Sequence, residues 1–200
     1  REIVQIAIES DAHALQFASD DIKGDREIAM RVIKSFPGHG YSWRIPFDYG
    51  DLKNDREILI EAINKTYGEA LEYASEALRD DREVVLKAVS LSGKVLEFAS
   101  DELKNDREIV LTAVSDDEGF GSLDGMALEF ASEALRADRE IVLKAVSQYG
   151  DGECDCEALA YASEELQADR EVVLEAVKYN MVLKYVSEEL QADREIVLTA

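Results

Sequence analysis

Short blocks of aliphatic residues alternate with polar joints along the whole chain, and the recurring tripeptide Asp-Arg-Glu is nearly always followed by such a block. The tripeptide begins at Asp25, Asp55, Asp81, Asp106, Asp138, Asp169 and Asp193, and an incomplete copy, Arg1-Glu2, opens the chain. Successive motif arginines are 24 to 32 residues apart, and the most compact copies span about 25 residues. Self-similarity at this period predicts a stacked array of repeats, not an ordinary globular core.

The first part of each copy predicts a short buried helix. Asp is a strong N-cap because its carboxylate accepts from the free amides of the first turn, and the Glu that follows suits the positive end of the helix dipole. In one copy the aliphatic residues after the motif cover most of the helix circumference, which is typical of a helix buried on all sides: Ile109, Val110, Leu111, Ala113 and Val114.

The second part predicts another short helix. Leu128, Ala131 and Leu135 are spaced i, i+3 and i+7, and Phe130 and Ala134 would form a second ridge on the same face. An Ala-Ser pair recurs at this point in the copies and places small side chains where two helices could approach closely. A period near 25 is short for two full α-helices, so a 3₁₀ turn in place of one segment is the alternative.

These patterns predict an all-α fold, an α-solenoid of about seven to eight tandem two-helix units. Helices of roughly nine residues are not stable alone, so neighbouring copies must supply the missing burial. We expect one elongated domain over residues 1–200. The chain begins inside one copy and stops inside another, so we expect it to be part of a longer protein.

The repeat resembles the family catalogued as domain of unknown function 4116. The resemblance rests on the run Leu-x-x-Ala-Ser-x-x-Leu-x-x-Asp-Arg-Glu-Ile-Val-Leu-x-Ala-Val and its close variants, carried by residues 71–89, 96–114, 128–146 and 159–177. It covers essentially the whole chain and implies a tandem helical repeat. It implies no particular activity, because the family is named for the absence of a known function.

Composition limits the classes of partner. The chain carries 44 acidic and 22 basic residues, a formal net charge of −22, which argues against nucleic acids and anionic membrane surfaces. A basic protein partner, or simple solubility, fits this charge better. No apolar run reaches the roughly 18 residues of a membrane span. The two cysteines, Cys154 and Cys156, form no disulfide framework and favour an intracellular, reducing compartment.

The motif arginines are the first candidate site. A positive charge beside a helix N-terminus is unfavourable, so its recurrence suggests a compensating partner. We expect each arginine to pair with carboxylates of an adjacent copy, which would form a structural ladder; a row of anion-binding arginines is the alternative. The ladder residues are Arg26, Arg56, Arg82, Arg107, Arg139, Arg170 and Arg194.

An aromatic stretch in the irregular second copy is the second candidate. Residues 35–50 hold the single tryptophan and both prolines, and Pro46 should shorten the second helix there. Aromatic side chains beside an arginine on an irregular loop are typical of a binding hot spot; the alternative is that the rings pack over a damaged copy. The candidate partner-binding residues are Phe36, His39, Tyr41, Trp43, Arg44, Phe47 and Tyr49.

Other chemistry has little support in the sequence. The acidic insertions at 116–125 and 150–157 lack the spacing of a calcium loop, and Cys154 and Cys156 make a poor zinc site, so we expect neither metal nor cofactor. No phosphate-binding loop or nucleophile elbow is present. The leading hypothesis is a protein-interaction scaffold or structural subunit without catalysis. The alternatives are a ligand-binding or enzymatic pocket at 35–50 and a spacer for catalytic domains elsewhere.

Overall fold

The computed structural model describes residues 6, 12–35, 50–115, 124–147, 158–178 and 183–199. The chain divides into two compact units, Arg1–Leu91 and Ser92–Ala200. Every regular element in the described ranges is helical, which confirms the prediction of an all-α repeat fold. None of the helices in these ranges has the length and apolar character needed to cross a membrane.

The first unit contains α-helices and 3₁₀-helices (labelled η) in alternation. Its described elements are η1 (Ala12–Phe17), α1 (Asp20–Lys23), α2 (Arg26–Ser35), η2 (Gly50–Asn54), α3 (Arg56–Lys65), η3 (Glu69–Tyr73), α4 (Glu76–Arg79) and α5 (Arg82–Val89). The longer helices α2, α3 and α5 each begin at a motif arginine, and the shorter elements occupy the second parts of the copies.

The second unit likewise combines first helices that begin at a motif arginine with shorter elements. Its described elements are η4 (Gly93–Phe98), η5 (Leu103–Asn105), α6 (Arg107–Ala113), η6 (Asp124–Phe130), α7 (Glu133–Arg136), α8 (Arg139–Val146), α9 (Ala158–Tyr161), α10 (Glu164–Gln167), α11 (Arg170–Val177), η7 (Leu183–Tyr185), α12 (Glu188–Gln191) and α13 (Arg194–Thr199). Helices α6, α8, α11 and α13 are the first helices of four successive copies.

The Asp of the motif caps each first helix, as predicted. Asp106 has an extended backbone and stands immediately before α6. Its Oδ1 accepts from the N–H groups of Glu108, at 2.9 Å, and Ile109, at 3.1 Å. Two of the free amides of the first turn are therefore satisfied by one side chain. Asp55, Asp81, Asp138 and Asp169 cap their helices in the same way.

Each first helix buries one broad face. In α6 and the residue that follows it, Ile109, Val110, Ala113 and Val114 are fully or almost fully buried. Leu111 is only half-buried, so the prediction of a helix buried on all sides was wrong. The same face recurs in α3, α5, α8 and α11, where the second, third, sixth and seventh positions after the arginine are buried.

The second part of each copy is not one continuous helix. Ala74 and Ser75 both have extended backbone, with ψ of 153° and 160°, and they separate η3 from the one-turn helix α4. A 3₁₀ segment replaces part of the second helix in most of the described copies, although Ala158–Tyr161 is α-helical, and the prediction of a single second helix is wrong. Leu128, Ala131 and Leu135 are buried as predicted, but Ala134 is exposed, because the break turns it away from the expected ridge.

The serine of the Ala-Ser pair starts the one-turn helix. Ser132 Oγ accepts from the N–H of Leu135, and Ser163 Oγ accepts from the N–H of Leu166. A serine before a short apolar helix is a normal N-cap. The sequence carries the signal for this helix start, since Ser is followed by Glu in most copies. The helical spacing of the apolar residues instead predicted that the serine lies inside a longer helix.

Within each unit, the extensive contacts join elements of one copy or of consecutive copies. In the second unit α6 packs on η4, η5, η6 and α8, and α8 packs on η6, α7, α9 and α11. In the first unit α3 packs on α2, η2, η3 and α5. Backbone hydrogen bonds also join consecutive copies. In the second unit the Ser132 N–H donates to the carbonyl of Lys104 in the preceding copy, at 3.0 Å. Ser75 and Ser163 make the equivalent bonds to Lys53 and Arg136.

We predict that Leu128→Ala lowers the free energy of unfolding by about 2–5 kcal/mol, because it removes a fully buried side chain from between α6, α8 and η4. Urea denaturation followed by circular dichroism measures the loss. The exposed neighbour Glu129 provides the control, and Glu129→Ala should change stability by no more than about 0.5 kcal/mol. Equal effects of the two substitutions would contradict this placement of the core.

Candidate functional site

The motif arginines reach forward to the motif of the next copy. Arg107 Nε lies 2.9 Å from Asp138 Oδ2, and Arg107 Nη2 donates to Glu140 Oε2. One guanidinium therefore spans two carboxylates that stand on either side of the next arginine. Charge-assisted bonds from a rigid planar group fix orientation as well as distance.

The same fork recurs in both units. The distances from arginine Nε to aspartate Oδ2 are 2.6 Å for Arg26–Asp55, 3.0 Å for Arg56–Asp81, 3.5 Å for Arg139–Asp169 and 3.1 Å for Arg170–Asp193. In each case Nη2 also contacts the glutamate of that next motif, namely Glu57, Glu83, Glu171 and Glu195. Arg82 and Arg194 occupy the corresponding first positions of α5 and α13. We refer to the contacts of Arg26, Arg56, Arg107, Arg139 and Arg170 with the next motif as the arginine ladder.

The ladder geometry is independent of the sequence separation. Arg170 and Asp193 are 23 residues apart, whereas Arg107 and Asp138 are 31 apart, yet the contacting atoms are the same. The extra residues of the longer copies therefore leave this contact between motifs unchanged. Insertions are accommodated at the joint after the first helix, outside the contact between motifs.

Five motif aspartates, Asp55, Asp81, Asp138, Asp169 and Asp193, serve two helices at once. Asp138 Oδ1 accepts from the N–H groups of Glu140 and Ile141 in its own helix, while Oδ2 receives Arg107. Its carboxylate thus links the N-terminus of α8 to the N-terminus of α6. This double use explains why Asp, Arg and Glu occur together as a tripeptide. The two carboxylates accept hydrogen bonds from the arginine of the preceding copy, and the arginine donates to the carboxylates of the following copy.

The ladder lowers the pKa of its aspartates. Partial burial by itself would raise the pKa of Asp138, but the bond from Arg107, the N–H groups of Ile141 and Glu140 and the arginine charge together outweigh it. The pKa of Asp55 and of Asp81 is lowered by the same balance. For Asp193 the bond from Arg170 is the largest cause of the lowered pKa.

The ladder lies at the surface. Its arginine side chains are 45–53% exposed and its glutamate side chains 64–84% exposed. Exposed ion pairs contribute little to stability individually, because water and salt screen them. The buried apolar faces therefore supply most of the stabilisation, and the ladder fixes the register between copies.

A second charged surface lies on the second parts of the copies. In the described part of the second unit eight acidic side chains of these second parts are exposed, and we call them the outer acidic row: Glu97, Asp101, Glu102, Glu129, Glu133, Glu164, Glu165 and Glu189. Because η4 packs against η6 and η6 packs against α9, the row passes from one copy to the next. The row was not singled out from the sequence, where acidic residues are too numerous to be sorted by position.

The aromatic candidate site lies outside the described residues. Phe36, His39, Tyr41, Trp43, Arg44, Phe47 and Tyr49 all fall in the gap between 35 and 50, so their role as partner-binding residues stays a prediction. Most of the two acidic insertions also falls outside. Among the residues that the structure does describe, no group of three or more His, Cys, Asp or Glu side chains could hold a metal ion.

Comparison with known proteins identifies the family. A model described as Domain of unknown function (DUF4116) matches residues 1–42, 49–79, 81–118, 122–152 and 153–183, which tile most of the chain as successive segments. The chain belongs to this family of tandem repeats. No curated protein and no solved structure matched it. The family description assigns no activity.

We predict that Arg107→Ala lowers the thermal unfolding midpoint of the protein, because it leaves Asp138 and Glu140 without their shared cation. Arg107→Lys should recover only part of the loss, since an ammonium cannot span both carboxylates as a planar fork does. Lys94→Ala, at an exposed position outside the ladder, is the control. A midpoint equal to that of the control would show that the ladder has no stabilising role.

The lowered pKa of Asp138 gives a pH-dependent prediction. A carboxyl whose pKa is lower in the folded state adds stability above its unfolded pKa of about 3.9, and this contribution is lost as the pH falls through the folded value. Asp138→Asn keeps a good N-cap residue but removes the charge. We therefore expect the unfolding midpoint of the variant to lie below that of the wild type at pH 7 and to converge on it under acid. Thermal unfolding from about pH 7 to about pH 2.5 measures the difference; a constant gap would contradict the linkage.

The constant ladder geometry predicts that one copy can be removed in register. Deletion of 138–168 places Asp169 and Glu171 directly after Ala137, where Arg107 can reach them. We expect a helical protein that still unfolds cooperatively, because each copy contacts its neighbours only. Deletion of 138–157 is the control, because it removes α8 but leaves the second part of the same copy. Circular dichroism should show that this control no longer unfolds cooperatively. Similar behaviour of the two deletions would refute register-based stacking.

Proposed function

We propose that the chain is a protein-interaction scaffold or structural subunit that performs no catalysis itself. The observation that carries the proposal is the outer acidic row. The copies engage one another through the buried faces and the ladder, so the row is not needed to hold them together. It offers a charged surface that continues from copy to copy in the second unit.

The partner that fits this surface is a protein segment rich in Lys and Arg. Opposite charge speeds encounter and disfavours wrong partners. The excess of 22 negative charges disfavours phosphate-bearing ligands over the rest of the molecule as well. A second contact at the aromatic stretch around Trp43 remains part of the proposal, since aromatic side chains supply binding energy that surface charges alone do not.

Affinity capture from a cell extract, followed by mass spectrometry, tests the proposal. A row variant carries Glu129→Gln, Glu133→Gln, Glu164→Gln and Glu165→Gln. A control with the same loss of charge carries Asp20→Asn, Asp21→Asn, Asp51→Asn and Glu69→Gln, all at exposed positions of the first unit. We expect the row variant to lose basic partners that the control retains.

The aromatic contact is tested separately by Tyr41→Ala combined with Trp43→Ala. If it contributes, this variant loses partners without loss of charge. A set of captured proteins that is unchanged in the row variant and in the aromatic variant would overturn the scaffold proposal. Circular dichroism of each variant establishes that lost binding does not reflect lost folding.

A further inference from the structure

The second parts of successive copies carry an aromatic side chain at the same position, within the outer acidic row. In the second unit these residues end η4, η6 and α9, and we call them the ring row: Phe98, Phe130 and Tyr161. All three are half-buried, so each remains partly accessible to solvent. Three residues after each ring lies an exposed carboxylate of the outer acidic row, namely Asp101, Glu133 and Glu164. Rings and carboxylates therefore alternate along the second parts.

Backbone hydrogen bonds keep consecutive rings of the row in the same register. The Ser132 N–H donates to the Lys104 carbonyl of the preceding copy, and the Ser163 N–H donates in the same way to the Arg136 carbonyl. In both bonds the serine lies two residues after a ring of the row, and the carbonyl lies six residues after the preceding ring. The step from one ring to the next therefore follows the same bond in both contacts. Packed helical elements are about 8–10 Å apart, and this distance sets the spacing of the rings.

A cation of the chain itself occupies the equivalent position of the next copy. Tyr185 ends η7 at the place that the ring row occupies in the preceding copies. Lys184 Nζ stands over the Tyr185 ring, 4.7 Å from its centroid, which is a favourable cation–π distance. In the copies with Phe98 and Phe130 the preceding residue is a glutamate, so it adds negative charge beside the ring instead of a cation.

We propose that the ring row and the outer acidic row together bind an extended protein segment that carries arginine at every third residue. Each guanidinium lies against one ring of the row and is attracted by the carboxylates on either side of it. Three residues in the polyproline II conformation cover about 9 Å, which matches the spacing of packed copies. Arginine suits this position better than lysine, because its planar and weakly hydrated group stacks on rings and still donates to carboxylates.

This inference rests on the proposed function and adds the residue type and the spacing of the basic segment. The net charge of −22 attracts any basic segment. Rings at a fixed spacing, in contrast, discriminate between segments of equal charge by the positions of their cations. A partner held by charge alone would satisfy the proposed function without the ring row, so the two proposals can be tested apart.

Two synthetic peptides of identical composition test the inference. The spaced peptide is four repeats of Arg-Pro-Ser, in which each proline keeps the preceding arginine extended. The clustered peptide has four consecutive arginines followed by four Pro-Ser repeats. Isothermal titration calorimetry with the full chain in about 0.15 M NaCl measures both affinities. We expect the spaced peptide to bind at least about fivefold more tightly, because only its arginines reach successive rings.

A leucine variant, Phe98→Leu with Phe130→Leu, removes two aromatic faces and keeps apolar side chains in their place. It should bind the spaced peptide at least about fivefold less tightly than the wild type does. Its affinity for the clustered peptide, which depends on charge, should be unchanged, and this result also shows that the variant is folded. A tyrosine variant, Phe98→Tyr with Phe130→Tyr, is the matched control, because tyrosine occupies this position in other copies. It should bind both peptides like the wild type.

The row variant of the capture experiment separates the two proposals. It should bind both peptides less tightly, because both use the charge that it lacks. If it does so while the wild type binds the two peptides equally, the spacing inference is overturned and the proposed function stands. If it binds both peptides like the wild type, the acidic row is not the binding surface and both proposals fail. A leucine variant that binds the spaced peptide like the wild type, or a wild type that does not bind this peptide at about 1 mM, would also overturn the inference.

Discussion

One arginine that contacts two carboxylates of the following copy is the constraint on which the rest of the arrangement depends. Arg107 holds both Asp138 and Glu140, and Asp138 in turn caps the helix that carries the next arginine. The same carboxylate therefore takes part in the ion pair between copies and in the cap of the next helix. In these copies the same three side chains set both the start of a helix and its contact with the first helix of the neighbouring copy.

The apolar faces and the ladder have different roles. Burial of Ile109, Val110 and their counterparts removes apolar surface from water and supplies most of the free energy, but apolar contact alone specifies register weakly. The exposed ladder contributes less energy and more specificity. This division explains how copies of unequal length stack alike: the added residues lie at the joints, where neither the buried face nor the motif contact is affected.

Membership of a repeat family without an assigned activity directs attention to surfaces. The copies bury their apolar faces against one another, and the contact between copies does not use the outer acidic row. The row is therefore the distinctive surface of the described residues, and it is the basis of the function proposed above.

The sequence by itself determined the period, the aspartate caps and the need for a partner at the motif arginines, because these depend on local spacing and on charge beside a helix end. It marked the aliphatic residues of the first helices but did not show that Leu111 is only half-buried. Only the tertiary structure decided that Ala74 and Ser75 break the second part, that Ala134 faces solvent, and that arginines such as Arg56 contact both carboxylates of the next motif. A helical apolar pattern cannot show that break, because the Ser75 N–H is satisfied by the Lys53 carbonyl of the preceding copy, a bond between residues that only stacking brings together.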